Sequence, residues 1–261
     1  MSIPQYRNLT FTPSKSVSAC FFALLTTNAS ITAGVIHKEK PVPLSNTQVR
    51  SLNAAITNYG FPAVYFDFNQ NAPVEAANIA AVEEHIRSQL KSENQQRVLH
   101  GLANVLYWGY AQIGYREVRV NNFLKGANTA HASAFKKLLV GGVIPSLCQI
   151  KDIHMPQFSG ISFISKVLAF LDPDNYCVLD QQLARIANGG GNRALNQLVQ
   201  GQQLRVTANN QAAYDVWRNE CSAISDTYFQ GAYRVVDIER GFFHLVQTDQ
   251  LQLAQLIYTN A

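Results

Sequence analysis

From residue 73 to its end the chain repeats one pattern: apolar residues return every three or four positions, segment after segment. A stripe of that period lies along one face of an α-helix and has to be buried against another element. Pro73–Leu90 carries Ile79, Val82, Ile86 and Leu90 on such a stripe, with a proline where a first helical turn tolerates one. Asn94–Gly114 carries Val98, Leu102, Val105, Leu106 and Tyr110. Residues 121–142 predict a further helix ended by the Gly141–Gly142 pair, and 165–171 a continuously apolar one. A helix opened by Asp180 and stopped by three glycines follows, with segments 193–201, 209–225, 233–247 and 249–259 completing the set. The first sixty residues are less regular, and beyond them Tyr65, Phe66 and Phe68 predict a short strand or an apolar flap. The expectation is a mainly α fold in one unit over 1–261, with an irregular section at 1–72 and a helical core at 73–261.

Composition narrows the classes. With 47% hydrophobic and 15% charged residues, 261 residues can bury a full core and do not read as disordered. The apolar run Cys20–Val35 is interrupted by Thr, Asn, Ser and Gly, too short and too polar to cross a membrane. No basic stretch followed by a cleavable apolar core opens the chain, so a cytoplasmic protein is expected. Cys20, Cys148, Cys177 and Cys221 are scattered without a CxxC pair, which predicts free buried thiols rather than zinc or disulfides. His100, His131, His154 and His244 show no metal-ligand spacing, so no metal is expected.

Charge is uneven. Residues 116–166 hold seven Lys/Arg against two acids, whereas 167–261 hold six against nine. A phosphate-binding surface needs such a basic concentration, although solvated helix faces produce one too.

Inside the basic stretch and just beyond it, Met155–Ile186 reads as a turn with Gly160 at its tip, an apolar helix, a Pro-containing loop, and Asp180 opening a second helix. Phe158-Ser159-Gly160-Ile161-Ser162 followed by Val178-Leu179-Asp180 resembles the helix-hairpin-helix DNA glycosylases. Their hairpin often reads apolar-Pro-Gly-apolar-Gly, and an aspartate begins a later helix. Here Ser159 stands for the proline and Ser162 for the second glycine. Within that superfamily the stretch is most similar to the prokaryotic 8-oxoguanine glycosylase-like branch, and Arg234–Leu245 adds to the likeness.

The resemblance implies a helix-hairpin-helix bundle with its hairpin at 156–166, acting as a monomer on double-stranded DNA that carries a modified base. Gly160, Ile161 and Ser162 would meet a DNA phosphate through backbone amides, with a monovalent cation at the hairpin and no other cofactor. The base would be flipped into a pocket, for which Trp108 and Tyr110 are the stacking candidates, though aromatic residues at this spacing also build cores. Asp180 would stabilise the charge that develops on the sugar, while an aspartate before an apolar helix also serves as an N-cap. Lys166 is the candidate amine for Schiff-base chemistry and strand nicking, or else a phosphate contact. The family places that lysine four residues after the hairpin glycine, where Ile164 stands, and Lys166 is roughly 200° further around a regular helix. Gln112, Asn121 and Asn122 are candidates for filling the gap left in the duplex. Asp237 and Glu239 would either line the site or pair along a helix.

The excised base is expected to be an oxidised guanine or a hypermodified phage base, the latter in antiviral defence. The alternatives are a non-catalytic helix-hairpin-helix DNA-binding module, in which Asp180 is only a cap, and a helical interaction protein without a nucleic-acid role.

Overall fold

A computed structural model describes residues 43–189 and 192–261; the Cys20–Val35 run and two of the three glycines after Asn188 lie outside them. The described chain is mainly helical, with one small β-hairpin. None of its helices is long and apolar enough to cross a membrane.

The section expected to be irregular contains a well-capped helix, α1 (Asn46–Thr57). Ser45 accepts the Gln48 N–H while Gln48 reaches back to the Ser45 amide, a reciprocal cap that was readable in the sequence as Ser-x-x-Gln. Strands β1 (Val64–Asp67) and β2 (Ala72–Glu75) then pair antiparallel, with Phe66 opposite Pro73. Pro73 therefore sits in a strand and does not start a helix; α2 begins later, at Ile79–Leu90, capped by the Asn78 side chain. Both strands here are edges, so a proline without an N–H is tolerated.

Helix α3 (Gln95–Gly109) is buried along most of its length from Val98 to Trp108 and packs on α2. Its one fully buried amide, Asn104, accepts the Phe66 N–H at 2.7 Å and donates to the Phe66 carbonyl at 3.1 Å, pinning the hairpin to the bundle. The single helix expected over 121–142 is two, α4 (Arg116–Gly126) and α5 (Thr129–Leu138), because Asn128 caps the second through its side chain. Short helix α6 (Leu147–Lys151), a turn, and α7 (Ile161–Leu171) follow, then the single turn α8 (Gln181–Ala184). Residues 194–197 form a 3₁₀ turn where an α-helix was expected.

The chain closes with α9 (Ala208–Phe229), α10 (Val235–Gln247) and α11 (Leu251–Asn260), joined by the contacts of Trp217 with Phe242 and Tyr258. Helix α1 lies against α10, where Gly241 permits the approach: a Cβ there would stand 2.6 Å from Ile56 Cγ1. Helix α10 is also tied to α2 by charge. The buried Glu83 carboxylate meets Arg240 at 2.6 Å and Arg234 at 2.8 Å, and Asp237 accepts from Arg234 at 2.8 Å. Asp237 thus belongs to an ion network, held well ionised by its two arginines against the opposing effect of burial.

Candidate active site

The segment that delivers Asp180 is fixed from several sides before the aspartate is reached. Tyr214 donates to the Cys177 carbonyl at 2.8 Å, and the Trp217 indole N–H donates to the Val178 carbonyl at 3.1 Å. The Val178 N–H donates to Glu239 Oε2 at 3.3 Å, and the Leu179 N–H to the buried Ser165 Oγ at 3.0 Å. Long aromatic side chains from α9, an acid from α10 and a hydroxyl from α7 therefore hold three consecutive residues. Such over-determination is what holding a functional group in place requires.

Asp180 divides its carboxylate. Oδ1 accepts the N–H groups of Gln182 and Leu183, capping α8, and Oδ2 lies 3.6 Å from Lys166 Nζ. The cap and the functional candidate are thus one side chain with one oxygen in each role. Lys166 is buried in α7, its Nζ also 3.3 Å from the Ser162 carbonyl and hydroxyl. The family spacing pointed to Ile164, but that residue is fully buried in the core. Helix α7 begins directly after Gly160, and the turn at Lys166 is the one that faces Asp180.

Glycine at 109 lets α3 approach α7 here. A Cβ on Gly109 would stand 2.6 Å from Phe163 Cε1 and 3.1 Å from Lys166 Cδ. Gly109→Ala is therefore expected to destabilise the protein by about 1–3 kcal/mol and to displace the lysine stem, which denaturation and a crystal structure of the variant would reveal.

Lys166 and Asp180 line a cavity of about 230 Å³ with Tyr59, Phe61, Trp108, Phe243 and Glu239. An apolar cavity of about 150 Å³ holds benzene, so one aromatic heterocycle is within its scale. Phe61 and Trp108 rings meet at 4.7 Å between centroids. Of the two aromatic candidates, Trp108 lines this cavity, whereas Tyr110 lines a different groove beside the hairpin. Gln112 stands at the cavity, bonded to Gln247; Asn121 and Asn122 are exposed on α4 and do not line it.

Glu239 was too generic in sequence to assign, since Asp-Ile-Glu-Arg reads as an ordinary helix face. Only the packing of α10 over residues 177–180 reveals it as a buried wall of the cavity. Burial pushes its carboxyl up to about 8, the Asp180 charge adds to this, and Arg240, the Val178 N–H and Lys166 oppose it. Between an ordinary value near 4.5 and about 8, the folded protein retains a proton that the unfolded chain releases. Its contribution to stability is therefore full at low pH and lost as pH rises through that window. Glu239→Gln, which cannot ionise and keeps an acceptor for Val178, is expected to raise Tm above wild type at about pH 9 and to match it at about pH 5.

The hairpin is only partly available. Gly160 bridges to Arg205, and the Ile161 N–H donates to the Leu204 carbonyl at 3.0 Å. Ile161, expected to meet DNA, is fully buried with its amide engaged within the protein. Gly160 and Ser162 remain half-buried beside a groove of about 380 Å³, lined also by Tyr110, Arg119 and Ser159. Among the described residues no side chain caps α7, so its first turn faces this groove without a carboxylate or hydroxyl cap from them. Just before the hairpin, the carbonyls of Ile150, Lys151 and Met155 accept the N–H groups of Ile153, His154 and Phe158. Among the described residues no three His, Cys, Asp or Glu are grouped to hold a metal ion. Cys177 and Cys221 are buried free thiols, Cys148 is only half-buried, and Cys20 lies outside the described residues.

No family model matches this chain, and comparison with curated proteins and with solved structures finds no similar one.

Proposed function

We propose that this chain is a DNA glycosylase of helix-hairpin-helix type, which flips a modified base out of duplex DNA and cleaves its N-glycosidic bond. The observation that carries the reading is the Lys166–Asp180 pair, 3.6 Å apart, in the wall of an aromatic cavity next to an uncapped helix start. An amine and a carboxylate beside a base-sized space are the groups that this reaction uses.

The flipped base enters between the aromatic walls, and its sugar lies at Asp180 and Lys166. As the C1′–N bond breaks, its electron pair leaves with the base and positive charge grows at the sugar. The Asp180 carboxylate stabilises that charge from a position set by its own cap. Water attacks C1′, with Asp180 taking its proton; alternatively the Lys166 amine attacks, leading on to strand nicking. The groove beside Gly160 and Ser162, with Arg119, takes the phosphate backbone. Oxidised guanine is the favoured substrate, and a hypermodified phage base removed in antiviral defence is the other.

A second reading is a non-catalytic DNA-binding module. It has one observation in its favour: capping α8 and pairing with Lys166 employ both oxygens of Asp180. The separating experiment compares binding to a plain duplex and to one carrying a tetrahydrofuran abasic analogue, at two salt concentrations. A glycosylase prefers the abasic duplex, with affinity that falls steeply as salt rises. Equal, salt-sensitive binding to both favours the module, and no binding to either overturns both readings.

A further inference from the structure

Two residues that line the cavity carry polar groups that neither a core nor the Lys166–Asp180 pair requires. Among the described residues the buried Trp108 indole N–H has no hydrogen-bond partner, and Trp108 is only 4% exposed. An unsatisfied buried donor is destabilising, and proteins retain few of them without a reason. Glu239 is 3% exposed and binds Val178 through Oε2; its Oε1 makes no hydrogen bond among the described residues. Both residues line the same space. We infer that this cavity takes an uncharged base, and that Trp108 and Glu239 are the residues that read its acceptor edge. The inference rests on the glycosylase reading and specifies the class of substrate.

Charge around the cavity supports it. Lys166 from α7 and Asp180, which opens α8, face each other and cancel. Arg240, on the same helix as Glu239, is committed to Glu83 at 2.6 Å. Tyr59 and the thiols of Cys177 and Cys221 are kept protonated by burial. With its carboxyl pushed upward, Glu239 carries a proton at neutral pH and presents an O–H donor. Two donors and no net charge suit a carbonyl or ring-nitrogen acceptor. They offer nothing to a cationic alkylated base, which would need an unpaired carboxylate. The aromatic faces of Phe61, Trp108 and Phe243 stack with either kind and do not discriminate.

The test measures binding to two duplexes identical except for one nucleotide, each with a 2′-fluoro sugar that blocks cleavage. One carries 8-oxoguanine, uncharged, and the other 7-methylguanine, cationic. Wild type is expected to prefer the uncharged base. That preference should fall by about tenfold, the effect of one hydrogen bond, in Glu239→Ala and Trp108→Phe. Glu239→Gln, still a donor, should keep it and lose the decline that wild type shows as pH rises through about 8. A wild-type preference for the cationic base, no preference, no binding to either duplex, or Glu239→Gln failing like Glu239→Ala would overturn the proposal. If the preference holds but the cleavable duplexes release no base, the recognition wall stands and the glycosylase reading fails.

Discussion

Asp180→Asn is expected to reduce base release from a reactive duplex by about a hundred- to ten-thousand-fold while lowering Tm only by what leaving Lys166 unpaired costs. The two effects separate because the carboxylate has two jobs. Asn caps helices about as well as Asp, so the Gln182 and Leu183 N–H groups keep their acceptor. The charge facing Lys166 and the reacting sugar disappears. Undiminished release from the variant would reduce Asp180 to a cap, a role that Asn fills as well. Calorimetry and mass spectrometry of the free base, on the same preparations, read the two quantities independently.

The largest loss of stability is expected at Glu83, which does not line the cavity. Its buried carboxylate is shared between Arg234 and Arg240, and Arg240 is 5% exposed. Glu83→Ala leaves that guanidinium in the interior with Asp237, 3.4 Å away, as its one ionic partner among the described residues. Removing one member of a buried ion network costs about 3 kcal/mol at the low end of the usual range. For a unit of this size that lowers Tm by about 6–12 °C. Glu83→Gln, which keeps acceptor and shape, should lose less. Urea unfolding of the three proteins gives the comparison, and a loss under about 1 kcal/mol would show that the network is solvated in solution.

How much of this was legible in the sequence depends on whether a feature is local. Ser45, Asn94 and Asp180 cap helices through contacts two or three residues away, so their roles follow from short-range pattern. The Ser45 and Asn128 caps are outside the expected set even so: Ser45 lies in the section expected to be irregular, and apolar spacing runs on through the break between α4 and α5 at Asn128. The Pro73 strand was misread as a helix start since proline favours both settings, and the pairing with Phe66 decides. Trp108 and Tyr110 were grouped as neighbours, yet two residues along a helix point them to different sides.

Lys166 and Glu239 show the other limit. The family spacing points to Ile164, which is buried in the core, whereas the side chain that meets Asp180 is Lys166. Glu239 reaches the cavity only because Tyr214, Trp217 and Ser165 fix the 177–180 segment beneath α10. Burial of a helix acid against a distant loop leaves no mark in the local pattern, which is why the ion pairs around it read as an ordinary surface.

The central claim is that the Lys166–Asp180 cavity breaks a glycosidic bond. Its most direct test is mass spectrometry of free base released from duplexes carrying oxidised, deaminated, alkylated or glucosylated bases, with wild type beside Asp180→Asn. The account predicts release of at least one uncharged base by wild type and its loss in the variant. Release that survives Asp180→Asn undiminished, or no release from any duplex despite tight binding, would contradict it.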